Sequence, residues 1–405
     1  MMNVRPDRLF MSPARIAVCA AAVSAMLAHT GLAAAETRAS AAGKADITVT
    51  SPAELAVALR NSTYKTIALA PGNYGNVTLH GLSAGVRIGA ADPGAQPVFS
   101  GLAISNVDGL TLANITIKPS ARPEGKYDNL VNVEGARRLL MTGLTLDGSV
   151  APPDLEFRGV FLQKSSEIVV SDCRFSGFYR GLVGLAVDDV TVTHNDISGM
   201  SSDGINFAQA SNVTITRNRF GAFQTTEDSH ADYVQFWSAG TDEPSRNVTV
   251  AENLMLQGDG SDVQGIFLAF DTHLAAHNIA VRDNVIVQSS PHGISLYNVV
   301  GASVEHNLVV AMPTAKYKVA IRMIGTSDGT ASNNLASGYG FEGLRNIKQS
   351  HNAEILFNNK QALASTVESV RNFIKDGRLN PPLIGQFQIA AAVRSAGVRP
   401  PDLRR

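Results

Sequence analysis

The sequence is poor in charge, in aromatic residues and in cysteine. Of its 405 residues 17% are charged and 6% aromatic, two are cysteine and one is tryptophan. This composition does not fit a helical bundle, and 44% hydrophobic residues are too many for a disordered chain. The formal net charge of −1 provides no overall field that would attract a polyanion, so we expect no nucleic-acid partner.

The longest apolar run lies within the first 35 residues, which have the pattern of a secretory signal. Arginines precede an apolar stretch over 16–32, and alanines at 33–35 offer a cleavage site before Glu36. An uncleaved membrane anchor is the alternative, but Thr30 and Gly31 interrupt the run. No later segment reaches the roughly 20 apolar residues of a membrane helix. We therefore expect cleavage before Glu36, a secreted or periplasmic chain, and no membrane insertion afterwards.

From about residue 100 the chain repeats itself. Segments that alternate apolar and polar residues recur about every 22 residues, which is the period of strands with one buried face. They read VTVTHNDI, VTITRNRF, VTVAENLM and IAVRDNVI, beginning at residues 190, 213, 248 and 279. A second short strand recurs between them, as in GINFA, YVQFW, GIFLA and GISLY. Units of this length cannot bury a face alone, so they predict a stacked solenoid.

Each repeat contains an asparagine at the same point. We interpret this column as a ladder in which each asparagine adopts a left-handed turn conformation and bonds to the next amide: Asn195, Asn218, Asn253, Asn284, Asn307 and Asn334. Cys173 occupies the column one repeat earlier and is expected to be a small buried residue. Because Cys19 leaves with the signal, no intrachain disulfide is possible.

On these repeats the sequence resembles the right-handed parallel β-helix proteins of the pectate-lyase-like superfamily, over residues 45–360. The resemblance implies an all-β fold: a single-stranded right-handed parallel β-helix of about ten coils over 36–360. An N-terminal cap over about 45–80 would contain a helix at 51–60, with Ser51 as N-cap, Pro52 in the first turn and Glu54 closing a capping box. Residues 361–405, with the apolar stretch 388–397, would form the C-terminal cap.

The repeat is stretched around one strand, 232–237. The ladder asparagines are 35 residues apart between Asn218 and Asn253, and 31 between Asn253 and Asn284. Extra residues in a solenoid become loops on one face, often the binding face. Alignment of the short strands then predicts an outward-facing polar strip. Its candidate catalytic residues are His230, Asp232, Asp271, His292 and Tyr297, and its candidate substrate-binding residues are Asn206, Gln235, Trp237, Gln264, Lys318 and Arg322.

The order of these residues is similar to that of the mannuronan C5-epimerases. A coil with Asp228, His230 and Asp232 precedes a coil ending in Asp271, and a coil opening with His292-Gly293 follows. The acidic run departs from the family in reading Asp-Ser-His-Ala-Asp, and the tyrosine that precedes it in the family is missing here. Tyr233 and Tyr297 are the candidate substitutes.

The resemblance implies action on an acidic, uronate-containing polysaccharide by abstraction of the C5 proton, as a lyase or as a C5-epimerase. A histidine would be the base, a tyrosine the acid, and Asn206, Gln235 or Arg322 would neutralise the C6 carboxylate. A base of the pectate-lyase kind would instead come from Lys316, Lys318 or Arg322.

Two other functions stay open. One is a non-catalytic polysaccharide-binding or adhesive β-helix. The other is a glycoside hydrolase of the pectinase type, suggested by SSDG at 201–204, Asp232, PHGIS at 291–295 and AIRMI at 320–324. An additional coil lies between Asp232 and His292, and the paired aspartate of such hydrolases is absent.

We expect no cofactor and a monomer. The turn GDGSD at 258–262 offers Asp259 and Asp262 to calcium, but we prefer the interpretation as a plain Gly-Asp turn and predict no metal site.

Overall fold

The computed structural model describes residues 44–82, 84–123, 128–149, 155–225 and 230–375. The predicted signal and cleavage site, Asp228, and the apolar stretch 388–397 lie outside these residues. Within them the chain forms a parallel β-solenoid of about ten coils, which confirms the predicted fold class. Each coil contributes a strand to three walls, and every strand pairs in parallel with its equivalents in the neighbouring coils.

The first wall is the one that carries the candidate site. Its sequence alternates, so every second side chain points towards the core: Val234 and Phe236 are buried, whereas Gln235 between them is partly exposed. Its strands are β3 (Asn76–His80), β6 (Gly101–Ser105), β9 (Asn129–Glu134), β12 (Arg158–Gln163), β15 (Arg180–Thr193), β17 (Ile205–Thr216), β19 (Asp232–Trp237), β22 (Gln264–Ala269), β25 (His292–Tyr297), β28 (Ala320–Ile324) and β31 (Tyr339–Glu342).

The second wall contains the longer repeated segments. The two long strands β15 and β17 run through both the first and the second wall and so join them into one sheet. The other strands of the second wall are β1 (Ile47–Val49), β2 (Thr66–Leu69), β4 (Arg87–Ala90), β7 (Thr111–Ala113), β10 (Arg137–Thr142), β13 (Ser166–Ser171), β20 (Arg246–Ala251), β23 (Ala276–Arg282), β26 (Val299–Glu305), β29 (Ser327–Ser332) and β32 (Arg345–Ser350).

The third wall is a separate 11-stranded sheet that follows the ladder asparagines. Its strands are β5 (Val98–Phe99), β8 (Thr116–Ile117), β11 (Thr145–Asp147), β14 (Arg174–Ser176), β16 (Asp196–Ser198), β18 (Arg219–Gly221), β21 (Leu254–Leu256), β24 (Val285–Gln288), β27 (Leu308–Ala311), β30 (Leu335–Ala336) and β33 (Ala353–Glu354). The three walls enclose one continuous apolar core.

The asparagine ladder forms as predicted, but for a different conformational reason. The Nδ2 of Asn253 donates to Asn284 Oδ1 at 3.0 Å and to the carbonyl of Ile215 at 2.9 Å. The left-handed residue of each turn is the one before the asparagine, such as Glu252 with φ 57°. The predicted left-handed asparagines are therefore wrong, and the amide is selected for its buried hydrogen bonds. Cys173 is buried as expected, and desolvation raises its pKa to about 12.

The helix α1 (Pro52–Arg60) begins where the sequence predicts it. Ser51 is the N-cap and its Oγ accepts from the Glu54 amide at 3.2 Å. The Glu54 carboxylate accepts from the amide of Thr50 at 2.7 Å, one residue before the partner that a capping box requires. Leu55 and Ala58 are buried in the core.

A second helix, α2 (Lys360–Lys375), was not predicted. Leu363, Val367 and Val370 follow one another at helical spacing, and all three are buried in the core. A one-turn 3₁₀ helix covers Thr272–Leu274. In the part of the chain that the structure describes, no helix has both the length and the apolar character needed to cross a membrane.

Candidate functional site

The strand register of the first wall agrees with the alignment of the short strands. One column of residues points inward, and the next column is Phe161, Val183, Asn206, Gln235, Phe267, Ser295 and Arg322. One position differs, because the register shifts after His292. The alignment pairs His292 with Val319, but in the structure His292 pairs with Ala320. Val319 is buried. Two coils separate Asp232 from His292, about 9–10 Å along the axis.

The strand β19 begins with a histidine–carboxylate pair. The Nδ1 of His230 lies 3.1 Å from Oδ2 of Asp232, with His230 54% exposed and Asp232 fully buried. Burial raises the pKa of Asp232 to about 7, and nearby Asp203 adds to the shift. The hydrogen bond to Asp232 raises the pKa of His230 above its ordinary 6.5, against the effect of desolvation. The pair therefore keeps at least one proton at neutral pH.

Below this pair, buried polar side chains form a network that links three coils. The Asp203 carboxylate accepts from Arg180 Nε at 2.8 Å and from Asn206 Nδ2 at 2.8 Å. Gln235 accepts from Asn206 and donates to Asp232 Oδ2 at 2.8 Å. Because Asn206 is 3% exposed and both ends of its amide are bonded, it supports its neighbours and does not face a ligand.

Trp237 lies at the outer edge of the same network. Its indole N–H donates to Asn206 Oδ1 at 2.7 Å. Its neighbours in the column are Ala208 and Ala269, so no large side chain stands beside the ring on either coil. Trp237 is therefore an anchored, partly exposed aromatic surface of the kind on which sugars pack.

Phe267 connects the two histidines. Its ring makes edge contacts with His230, at 4.9 Å between centroids, and with His292, at 5.3 Å. A third contact, at 5.5 Å, joins it to the ring of Tyr297. The two histidines, Phe267 and Tyr297 thus form one aromatic cluster on the outer face of the first wall.

His292 lies in an environment that keeps it neutral. Desolvation, the charge of Arg322 and the charge of His230 together lower its pKa to about 4. Its Nδ1 is 2.9 Å from Ser295 Oγ, which fixes the ring and leaves Nε2 free of any hydrogen bond within the described chain. In the tautomer whose Nδ1–H donates to Ser295 Oγ, the unprotonated Nε2 can accept a proton.

The basic residues lie one coil beyond His292. Arg322 pairs with Ser295 in the register and takes part in no ion pair among the described residues. Lys318 precedes the strand and makes a 3.5 Å contact with Glu354 at the surface. Both residues line a groove of about 210 Å³.

The remaining two predicted residues lie at opposite ends of β22. Gln264 pairs with Asp232 at the start of the strip, and its buried Oε1 has no hydrogen-bond partner. Asp271 is exposed and lies beyond the opposite end of β22, where it precedes the 3₁₀ helix. The five residue steps of that strand alone span about 16 Å. The structure therefore does not bring Asp271 to the histidines.

Tyr233 does not reach the outer face. It is fully buried, and its ring packs on Phe220 and Phe223 at 5.8 and 4.9 Å between centroids. A side chain at the same point of the other coils would also point into the core, where glycines stand: Gly159, Gly181, Gly204, Gly265 and Gly293. Tyr233 is therefore no substitute for an acid that touches substrate, whereas Tyr297 remains on the strip.

The sequence gives no role to three contributors, Phe267, Ser295 and Arg180, and it gives Asp203 a role only in the SSDG segment of the hydrolase alternative. The strand alignment could have identified Phe267 and Ser295 as site residues, since both fall in the outward column. Asp203 and Arg180 head the two preceding strands, and only side-chain geometry reveals their ion pair. The acidic turn contains an internal contact, Gln257 Nε2 to Asp262 Oδ1 at 3.1 Å. Among the described residues no group of three or more histidine, cysteine or acidic side chains is arranged to hold a metal.

The family model for the right handed beta helix region matches residues 100–226 and 131–360. These matches cover more than half of the chain, which therefore belongs to this family, and the predicted right-handed β-helix is confirmed. No curated protein matches the sequence.

Several solved structures are similar in fold. An alginate lyase from Paenibacillus sp. str. FPU-7 matches at 13% identity over 76% of this chain and 98% of its own, with a TM-score of 0.47. The surface adhesin PfbA of Streptococcus pneumoniae matches at 13% identity over 71% and 84%, with a TM-score of 0.43. An exopolygalacturonase from Thermotoga maritima matches at 11% identity over 75% and 92%, with a TM-score of 0.49. At such values the likeness says nothing about the reaction of this chain.

Proposed function

We propose that this protein acts on a uronate-containing polysaccharide by proton transfer at C5 of a uronate residue, as a lyase or a C5-epimerase. One observation carries the proposal. The rings of His230 and His292 both contact Phe267, His230 is paired with Asp232, and Arg322, which has no ion-pair partner among the described residues, lies one coil beyond His292.

His292 is the proposed base. The C5 proton of a uronate is weakly acidic, and it becomes removable when a cation neutralises the adjacent C6 carboxylate. Arg322 is one coil from His292 and already acts on it electrostatically. The His292 imidazole takes the C5 proton, and the electron pair left at C5 is stabilised through the carboxylate that Arg322 holds.

His230 is the proposed acid. The hydrogen bond to Asp232 raises its pKa, which favours the protonated imidazole that an acid requires. In elimination this proton goes to the C4 oxygen as the C4–O bond breaks and the C4–C5 double bond forms. In epimerisation it goes to C5 from the side opposite to His292. Tyr297 is the second candidate donor on the strip. All roles fall to protein side chains, and the proposal includes no cofactor.

A binding function without catalysis is the second candidate, and Trp237 favours it. The anchored indole and Phe267 offer sugar-packing surfaces that need no chemistry. Hydrolysis of the pectinase type has less support. The carboxylates on adjacent coils, Asp203 and Asp232, are 1% and 0% exposed, and each is bonded to protein groups.

We also propose export, because a polymeric substrate of this kind lies outside the cell. The N-terminal pattern predicts cleavage before Glu36, and sequencing of the exported protein tests it. We propose that the mature chain works as a monomer, which its elution volume in size-exclusion chromatography tests.

Incubation with a panel of uronate polymers tests the reaction. Ultraviolet absorbance reports the unsaturated end that a lyase creates, and proton exchange in deuterated water reports C5 chemistry without cleavage. His292→Ala should lower turnover by about 10²–10⁴-fold with the fold intact, because it removes a proton-transfer group. His277→Ala, an exposed histidine on the second wall, is the matched control and should leave turnover unchanged. Full activity in both His230→Ala and His292→Ala would exclude these histidines as acid and base, whereas binding without turnover by the wild-type chain would leave only the binding function.

A further inference from the structure

A groove crosses the last two strands of the first wall, β28 and β31. It has a volume of about 210 Å³, less than the roughly 300–1,000 Å³ of pockets that enclose a whole drug-sized ligand. Its floor is made by Gly338 and Gly340, which have no side chains to fill it. The groove therefore has room for about one sugar residue.

The two ends of the groove differ in charge. Lys318 lies before the start of β28 and Arg322 in its middle, while Glu342 stands beside Ile324 at the opposite end. The ion pair between Lys318 and Glu354 is a 3.5 Å surface contact with the Lys318 side chain 60% exposed, so a ligand carboxylate can replace Glu354 at little cost. A ligand with a carboxylate at one end and hydroxyl donors at the other matches this polarity.

The groove has a rigid base. The hydroxyl of Tyr339 is 2.9 Å from the Asn334 carbonyl and 2.8 Å from the Ala353 carbonyl, which holds the ring in place. The ring packs on Phe341 at 5.6 Å between centroids. Tyr339 pairs with Ile321 of the inward column and packs on the core, so its fixed ring holds the strand beneath the groove in place and offers no outer face to a sugar.

We propose that this groove is a separate subsite for a second, non-reacting uronate residue of the same polymer, a proposal that rests on the function proposed above. The carboxylate of that residue contacts Lys318, and its hydroxyls donate to Glu342. Arg322 lines the groove on β28, the strand next to that of His292, and it holds the carboxylate of the reacting residue.

The subsite sets the direction of the bound polymer. The coil spacing of about 4.8 Å places the groove one to two coils beyond His292, close to the spacing of neighbouring sugar residues. At the other end of the strip Arg180 is paired with Asp203 and approaches Glu156. The polymer is therefore anchored on the side of coils β28 and β31, and the reacting residue lies over Phe267.

Equilibrium binding of size-defined oligouronates tests the subsite without reference to turnover. Lys318→Ala removes the charge, and Gly340→Val fills the groove at a position where a Cβ meets only the flexible Arg322 side chain, at 3.4 Å. Each should weaken oligouronate binding about 3- to 10-fold, with the loss in Lys318→Ala shrinking at high salt. Lys348→Ala, which removes an exposed charge from the second wall of the same coil, is the control. Neutral oligosaccharides of equal length should be insensitive to Lys318→Ala.

The outcomes separate the two proposals. Oligouronate binding that both groove variants leave unchanged, or no binding by the wild-type chain, overturns the subsite even if the polymer is turned over. Groove-dependent binding without turnover supports the subsite and contradicts the proposed chemistry. Equal loss for neutral and acidic ligands in Lys318→Ala overturns the assignment of a carboxylate.

Discussion

The imidazole of His230 donates to a carboxylate, that of Asp232, from which solvent is wholly excluded. The Nδ1–Oδ2 distance is 3.1 Å, and His230 itself is half exposed. Asp232 is held from below by Gln235, whose amide donates to the same oxygen at 2.8 Å. The exposed member of the pair can thus meet a ligand, while the buried member fixes its orientation and its charge.

The pair and His292 together predict a bell-shaped pH dependence of kcat/KM. On the acid side activity should fall near pH 4, where His292 becomes protonated. On the alkaline side it should fall above about pH 7, as the pair loses its proton. Asp232→Asn removes the partner that raises the pKa of His230, so the alkaline limb should move to lower pH while the acid limb stays. An alkaline limb that does not move in the variant contradicts the role of the pair.

The same pair should make stability depend on pH. Burial raises the pKa of Asp232 in the native state to about 7 from the 3.8 of an unfolded aspartate, so the His230–Asp232 pair binds more protons when folded and unfolding releases them in this window. The free energy of unfolding of the wild type should therefore fall, relative to Asp232→Asn, as pH rises from about 4 to 7. His292, whose lowered pKa acts in the opposite sense, cancels in this difference. Urea unfolding at several pH values measures it, and a constant difference would refute the prediction.

Phe267 should matter more than its size suggests. Phe267→Leu keeps an apolar side chain but loses the edge contacts that fix both histidines. We expect kcat to fall about 10-fold with KM changed less, since small displacements of proton-transfer groups are costly. Phe161→Leu, in the same outward column, is the matched control and should leave kcat unchanged. A similar loss in both variants would indicate a packing effect.

Substitution of Tyr233 and of Tyr297 by phenylalanine should have different effects on stability and on activity. Tyr233→Phe removes a buried hydroxyl that has no hydrogen-bond partner, so stability should stay equal or rise by about 1 kcal/mol with activity unchanged. Tyr297→Phe removes a hydroxyl on the strip and should lower kcat if that group donates a proton. Thermal unfolding and initial rates distinguish them. Loss of activity in Tyr233→Phe alone would contradict the inward placement.

The buried ladder should dominate stability. Asn253→Gly deletes an amide that bonds to Asn218, Asn284 and a backbone carbonyl, all in the interior. We expect a loss of about 3–5 kcal/mol, at roughly 1 kcal/mol for each bond and more for partners left unsatisfied. Asn247→Gly removes a rung of the exposed ladder, where Asn247 donates to Asn212 at 2.8 Å, and glycine tolerates its φ of 54°. This control should lose less than about 1 kcal/mol.

The fold could be predicted because a solenoid repeats its constraints. The two-residue alternation set the phase of every wall strand, and the asparagine column set the register between coils. The helix α2 was not predicted because it lies outside the repeats. Its buried residues, such as Leu363 and Val367, therefore belong to no recurring pattern. The sequence shows that each coil contains a turn, but it does not show which residue adopts the left-handed conformation. The prediction therefore placed it on the asparagine, one position after the residue that has it.

The site was predictable only as far as the register reaches. His230, Asp232 and His292 were placed on one face by counting, and so was the outward position of Phe267. That Phe267 contacts both histidines depends on side-chain rotation, which no periodicity encodes. Tyr233 could have been placed correctly, since glycine stands at the same point of the other coils, as at Gly204 and Gly265. A column of glycines marks a direction in which a side chain meets the core.

The stretched coil keeps all its strand pairings although its ladder interval grows to 35 residues. Length was added only at the corners, where one wall gives way to the next, and the hydrogen-bonded walls continue undisturbed above and below. Insertions and deletions at these corners are thus close to neutral for folding, whereas a single-residue shift within β19 would turn Val234 outward. Natural variation can lengthen, exchange or remove the loops that border the cleft without redesign of the core, so substrate range in such a chain can diverge much faster than its architecture.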